Sequence, residues 1–136
     1  MAWAQSLIKL STYEVETLQK RLADLNAQRE AVEMRMAMLV AEGEAETAAA
    51  ARDPEAGWRL MAYLEALKVR KDKVQAEISA LMLEEQGARD ALSRAFETQK
   101  KYEEVAEQMR LAQAKEAGRR ETAALDELGL RKAGGR

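Results

Sequence analysis

The sequence contains no cysteine and no histidine, one proline, and only 4% aromatic residues. Without cysteine there is no disulfide framework and no thiolate metal site. Without histidine, the usual imidazole ligand of zinc and the commonest general acid–base near neutral pH are missing as well. No glycine precedes a Lys-Ser or Lys-Thr pair, which excludes a phosphate-cradling P-loop. No window of 18 apolar residues is present to cross a bilayer. The first residues carry Lys9 and, from Glu14, acidic side chains rather than a signal-peptide core, so the expected compartment is the cytoplasm. Scarce aromatics exclude a thick globular core, because aromatics carry much of the buried area in such cores. Carboxylates abound, but they alternate with Lys and Arg at helical spacing, the pattern of a solvated, ion-paired helix face. The expectation is a protein with no enzymatic activity, no cofactor and no metal.

What is present is helix-forming. Of 136 residues, 47% are hydrophobic and 34% charged. Ala, Glu, Lys, Leu, Arg and Gln dominate, with few β-branched side chains, a composition of long helices whose core is a thin seam. Twenty-two basic and 24 acidic residues leave a formal charge of −2, which gives no electrostatic reason to bind nucleic acid.

Apolar residues recur at alternating steps of three and four. One series runs Ile8, Ser11, Val15, Leu18, Leu22, Leu25, Arg29, Val32, Met36, Leu39. A second runs Leu60, Leu64, Leu67, Lys71, Val74, Ile78, Leu81, Glu85, Ala88, Leu92, Ala95, Gln99, Tyr102, Ala106, Met109. A seven-residue repeat of this length predicts a left-handed supercoil with a partner helix. Arg29, Lys71, Glu85 and Gln99 fall on seam positions, where polar groups fix register at some cost in stability.

Between the tracts, residues 43–57 hold no large apolar side chain, and Asp53-Pro54-Glu55 reads as N-cap, first helical residue and acidic first turn. The fold class is therefore all-α, an antiparallel two-helix coiled-coil hairpin with unequal helices. The punctuation predicts helix one over about 3–48, the hairpin over about 43–57, helix two over about 54–128 and a mobile basic tail over about 129–136. This reversal sets Ile8 opposite about residues 88–98 and leaves helix two overhanging by about five turns. The overhang carries Tyr102, Ala106, Met109, Leu125 and Leu128, and reads either as a frayed end or as a surface that a partner covers. Trp58, followed by Met61, Tyr63 and Leu64, either closes the coil at its tip or anchors another protein, and Trp3 either caps the far end or makes a second contact.

The order of these features resembles the FliJ family of flagellar export proteins: SLIKLSTYEVETLQKRL near the start, Trp58 after a polar hairpin, ETQKKYEEVAEQ in the long second helix, and ETAALDELGLRK near the close. The resemblance implies a two-helix coiled coil similar to the central stalk of rotary ATPases, and the two heptad tracts with the Asp53-Pro54 break predict a monomer when isolated. Its implied partners are the hexameric flagellar export ATPase, whose ring it enters and whose assembly and activity it promotes, the cytoplasmic domain of the export gate membrane protein, and export chaperones. It further implies a role in flagellum assembly and motility, and peripheral association with the inner face of the cell membrane through the export apparatus. By this resemblance Trp58, Leu64, Lys68, Lys71 and Gln75 face the export gate, although only Leu64 of the last four is bulky and apolar as in the family. Trp3, Tyr102, Met109, Leu125 and Leu128, at the end carrying both termini, would meet the ATPase ring. Injectisome type III secretion stalk proteins share this shape. A coiled-coil tether or homodimer unconnected with any ATPase is the alternative from a different class.

Overall fold

The computed structural model describes residues 2–134. Helix α1 spans Ala2–Ala50 and helix α2 spans Gly57–Gly134, with a 3-10 turn at Pro54–Ala56 between them and no strand among the described residues. The fold is all-α, a hairpin of two unequal helices of 49 and 78 residues.

The reversal follows from its residues. The last turn of α1 tightens as the Arg52 amide donates to the Ala49 carbonyl and the Asp53 amide to that of Ala50, both at 3.2 Å. Asp53 is extended (φ −132°, ψ 103°), as a residue before proline must be, and its carboxylate accepts from the Glu55 amide at 3.1 Å. Pro54 then needs no donor, and Gly57 enters α2 with helical φ −57°.

Helix α2 does not stop near residue 128 but runs to Gly134. Arg131 donates to Glu127 at 3.0 Å, and Arg131 and Lys132 lie in the last turn, where cations offset the helix dipole. The segment expected as a mobile tail is thus helical through Gly134, and its last two residues lie outside the described ones.

The chain divides into two compact units. In the hairpin unit, residues 16–93, Leu25, Val32, Leu67, Val74 and Ile78 are buried, with Leu25 only 1% exposed. Met36, Leu39 and Leu81 pack against the Val32–Val74–Ile78 cluster. Leu18, Leu22, Leu60 and Leu92 are half-buried. Its antiparallel register is marked by Arg35–Glu77 at 3.1 Å and Arg70–Glu42 at 3.6 Å. Gly43 is buried, and a Cβ there would stand 2.6 Å from Leu67 Cδ2, so the helices approach closely at this point.

The terminal unit pairs residues 2–15 with the α2 segment from residue 94. Ala4, Ser11, Val15 and Ala95 are buried, and Ile8, Tyr102, Ala106 and Met109 are half-buried. Ala4, Gln5 and Ile8 border one groove with Glu103, Ala106, Glu107, Arg110 and Gln113. Ile8 therefore faces α2 well beyond residues 88–98, a correction to the expected register. The reversal is centred a few residues later than expected, and each residue of displacement moves the facing position by two. Tyr102 and Met109 are accordingly part-covered instead of lying bare on an overhang. From Arg110 to Gly134 every residue is exposed.

Candidate interaction surfaces

The most enclosed polar chemistry lies in the hairpin unit. Glu85 sits on a seam position with its side chain 3% exposed. Arg29 Nε donates to Glu85 Oε1 at 2.7 Å, and its Nη1 donates to Glu33 at 2.8 Å. Arg89 adds an ion pair to the other Glu85 oxygen at 3.5 Å. Two cations and two carboxylates therefore form one neutral layer across the seam. The hydrogen bonds to Glu33 and then Glu85 hold the Arg29 pKa above its ordinary value, so the guanidinium stays charged. A buried carboxylate held by two arginines is a structural ion pair, because each of its oxygens already has a cation beside it. In the terminal unit Gln99, also on the seam, donates from Nε2 to Thr12 Oγ1 at 2.9 Å, while Ser11 donates to the Ile8 carbonyl at 2.9 Å. Sequence reasoning found Arg29, Glu85 and Gln99. It missed Glu33, Arg89 and Thr12, which lie beside the seam, although the Arg29–Glu33 and Glu85–Arg89 spacings of four were a visible cue.

Near the turn, Trp58 is 73% and Met61 71% exposed, and the Arg59 guanidinium stands over the indole at 5.5 Å from its centroid. Trp58 thus lies open instead of closing the coil. The five residues assigned to the export gate do not share one outward stripe. Lys68 and Gln75 are exposed, whereas Leu64 and Lys71 are half-buried and line a groove with Val40, Gly43, Thr47 and Leu67. Tyr63, half-buried beside them, has an enclosed hydroxyl that meets no partner at hydrogen-bonding geometry. Burial first, and the nearby Glu42 carboxylate second, push its phenol pKa up.

Of the residues assigned to the ATPase ring, Trp3, Leu125 and Leu128 are exposed, while Tyr102 and Met109 are half-buried. All five belong to the terminal unit. The exposed part of α2 adds Leu111 and Leu130 as bare apolar side chains and is laced by short-range pairs, Arg119–Glu116 and Arg131–Glu127 among them. At its start Arg110 donates twice to Glu107, at 2.7 and 3.0 Å, which holds the Glu107 carboxyl below the usual carboxylate range.

Among the described residues there is no group of three or more Asp and Glu placed to hold a metal ion. No helix among them is long and apolar enough to cross a membrane.

No family model and no solved structure matches the chain. Curated relatives do. The Flagellar FliJ protein of Caulobacter vibrioides strain NA1000 / CB15N and that of strain ATCC 19089 / CIP 103742 / CB 15 are each 52% identical to it over 136 residues, covering 98% of this chain and 98% of theirs.

Proposed function

The chain belongs to the FliJ family of flagellar proteins, and on that premise we propose that it is a non-enzymatic stalk and adaptor of the flagellar protein export apparatus. In this reading the exposed end of α2 enters the ring of the export ATPase and promotes its assembly and activity. The hairpin unit, through Trp58 and its neighbours, reaches the cytoplasmic domain of the export gate and brings the chain to the inner face of the membrane. Export chaperones are further partners, and flagellum assembly and motility depend on the whole. The observation that carries the reading is the helix over residues 110–134, in which every residue is exposed and Leu111, Leu125, Leu128 and Leu130 are more than half exposed. Large apolar side chains on a helix that nothing covers mark a surface built for another protein.

The test is co-purification with the flagellar export ATPase, followed by ATP hydrolysis rates with the full chain and with a chain ending at residue 110. The full chain should stimulate hydrolysis, and the shortened one should not while keeping its hairpin helicity. Full stimulation by the shortened chain would remove the ring assignment. Trp58→Ala should have the converse effect, weakening gate binding and swimming while stimulation persists.

A further inference from the structure

We propose that the Arg29–Glu85 layer selects the pairing of α1 with α2 over the pairing of either helix with its own copy. The seams of both helices are heptad seams with large aliphatic side chains, so apolar burial alone also favours α1 on α1 and α2 on α2. The charges discriminate. In a parallel, in-register pair of α1 segments Arg29 meets a second Arg29 on the seam. In the same arrangement of α2, Glu85 meets Glu85 and Lys71 meets Lys71. In an antiparallel α2 pair centred on the Leu60–Met109 tract, Glu85 lies near the midpoint and so comes close to its own copy. An antiparallel α1 pair sets Arg29 against aliphatic side chains and leaves it only Glu33 of its own helix.

Pairing α1 with α2 adds the interhelical contact, in which Arg29 and Glu85 meet at 2.7 Å with Glu85 almost fully enclosed. Enclosure gives the discrimination its force, since like charges repel far more strongly away from water, and an unpaired buried charge is costly in any arrangement. The flanking Glu33 and Arg89 keep the correct layer neutral. Exchange of α1 between two chains would preserve the layer, but the short reversal through Pro54 makes the intramolecular partner the nearer one. The layer selects α1 against α2, the short reversal makes that pairing intramolecular, and the inference stands independently of the proposed export role.

The experiment compares the mass in solution of the full chain with two double variants, by light scattering from low to high micromolar concentration, with circular dichroism alongside. The natural chain should have the mass of one copy. Arg29→Leu/Glu85→Leu, whose seams are apolar throughout this region, should stay helical and double in mass as concentration rises. Arg29→Glu/Glu85→Arg, which restores the layer reversed, should return to one copy. A double-leucine variant that stays at one copy with full helicity, a reversed variant that dimerises, or a natural chain of two copies would overturn the proposal. If the double-leucine chain loses its helicity, mixing decides. Chains carrying Arg29→Glu alone and Glu85→Arg alone can build proper layers only with each other, so mass should double on mixing. No gain in mass from two helical single variants would equally overturn the proposal.

Discussion

The hairpin unit and the terminal unit obey the same heptad rule with side chains of different size. Residues 16–93 bury Leu25, Val32, Leu67, Val74 and Ile78. The terminal unit buries Ala4, Ser11, Val15 and Ala95, and from Arg110 to Gly134 every residue is exposed. A fully buried Leu, Ile or Val contributes about 1.5–3 kcal/mol, and alanine much less, so stability is concentrated in the hairpin unit. The difference teaches a division of labour. One unit holds the fold, and the other keeps apolar surface exposed, as segments that engage partners tend to come from the less stable parts of a molecule.

The sharpest way to break this comparison is to cut one leucine in each unit. Leu25→Ala should cost about 3 kcal/mol in denaturant unfolding, and Leu125→Ala under about 0.5. Equal losses would mean that the exposed helix is packed after all. The polar seam residues should differ next. Glu85→Ala removes the enclosed ion pair and leaves Arg29 only Glu33, so it should cost more than Gln99→Ala, which removes one neutral hydrogen bond worth about 1 kcal/mol. Glycines give a smaller contrast. Gly87 has open space where a Cβ would go, so Gly87→Ala should stabilise by about 0.5–1 kcal/mol, while Gly43→Ala should lose that gain to Leu67.

The pH extremes should act on different units, with the smallest effects. Tyr63 has a raised pKa, so its contribution is intact below the ordinary phenol value of 10.0 and is lost as pH rises through the raised one. Tyrosinate absorbance should show one tyrosine ionising late, and a late component absent from Tyr63→Phe would identify it. Glu107 has a lowered pKa, so the Arg110 pair persists above the ordinary carboxylate value of 4.5 and is lost only as pH falls through the lowered one. Acid titration by NMR at Glu107, with and without Arg110→Gln, reads that directly.

The seam was legible in the sequence because side-chain period within one helix is a local property: every residue from Ile8 to Leu92 placed on it is buried or half-buried. The turn was legible as well, since Asp53, Pro54 and Glu55 carry their roles in their own covalent structure. The register was not. A heptad pattern looks the same after a slip of seven residues, so the facing residue is fixed only by where the chain reverses. That is why Ile8 was expected against about residues 88–98 yet faces Glu103 and Ala106. The same ambiguity hid the Thr12–Gln99 bond. The C-terminal end of α2 was hidden for a different reason. Gly129 weakens a helix without ending it when a neighbouring ion pair such as Arg131–Glu127 supports the same turn. The candidate surfaces were only half legible, because exposure at Trp58 and Leu125 depends on what the opposite helix reaches, which no single residue encodes.

The unbroken run of α2 from Met109 into the exposed segment has a further consequence, in helix nucleation. Starting a helix from coil is unfavourable by a factor of about 10⁻³, or about 4 kcal/mol, whereas extending one adds a hydrogen bond for each residue fixed. The part-covered turns at Tyr102, Ala106 and Met109 serve as the nucleus, and residues 110–134 only have to propagate from it. The same residues cut out as a free peptide must nucleate alone. A partner that binds this helix should therefore take the peptide far more weakly than the intact chain, even though every side chain it touches is identical.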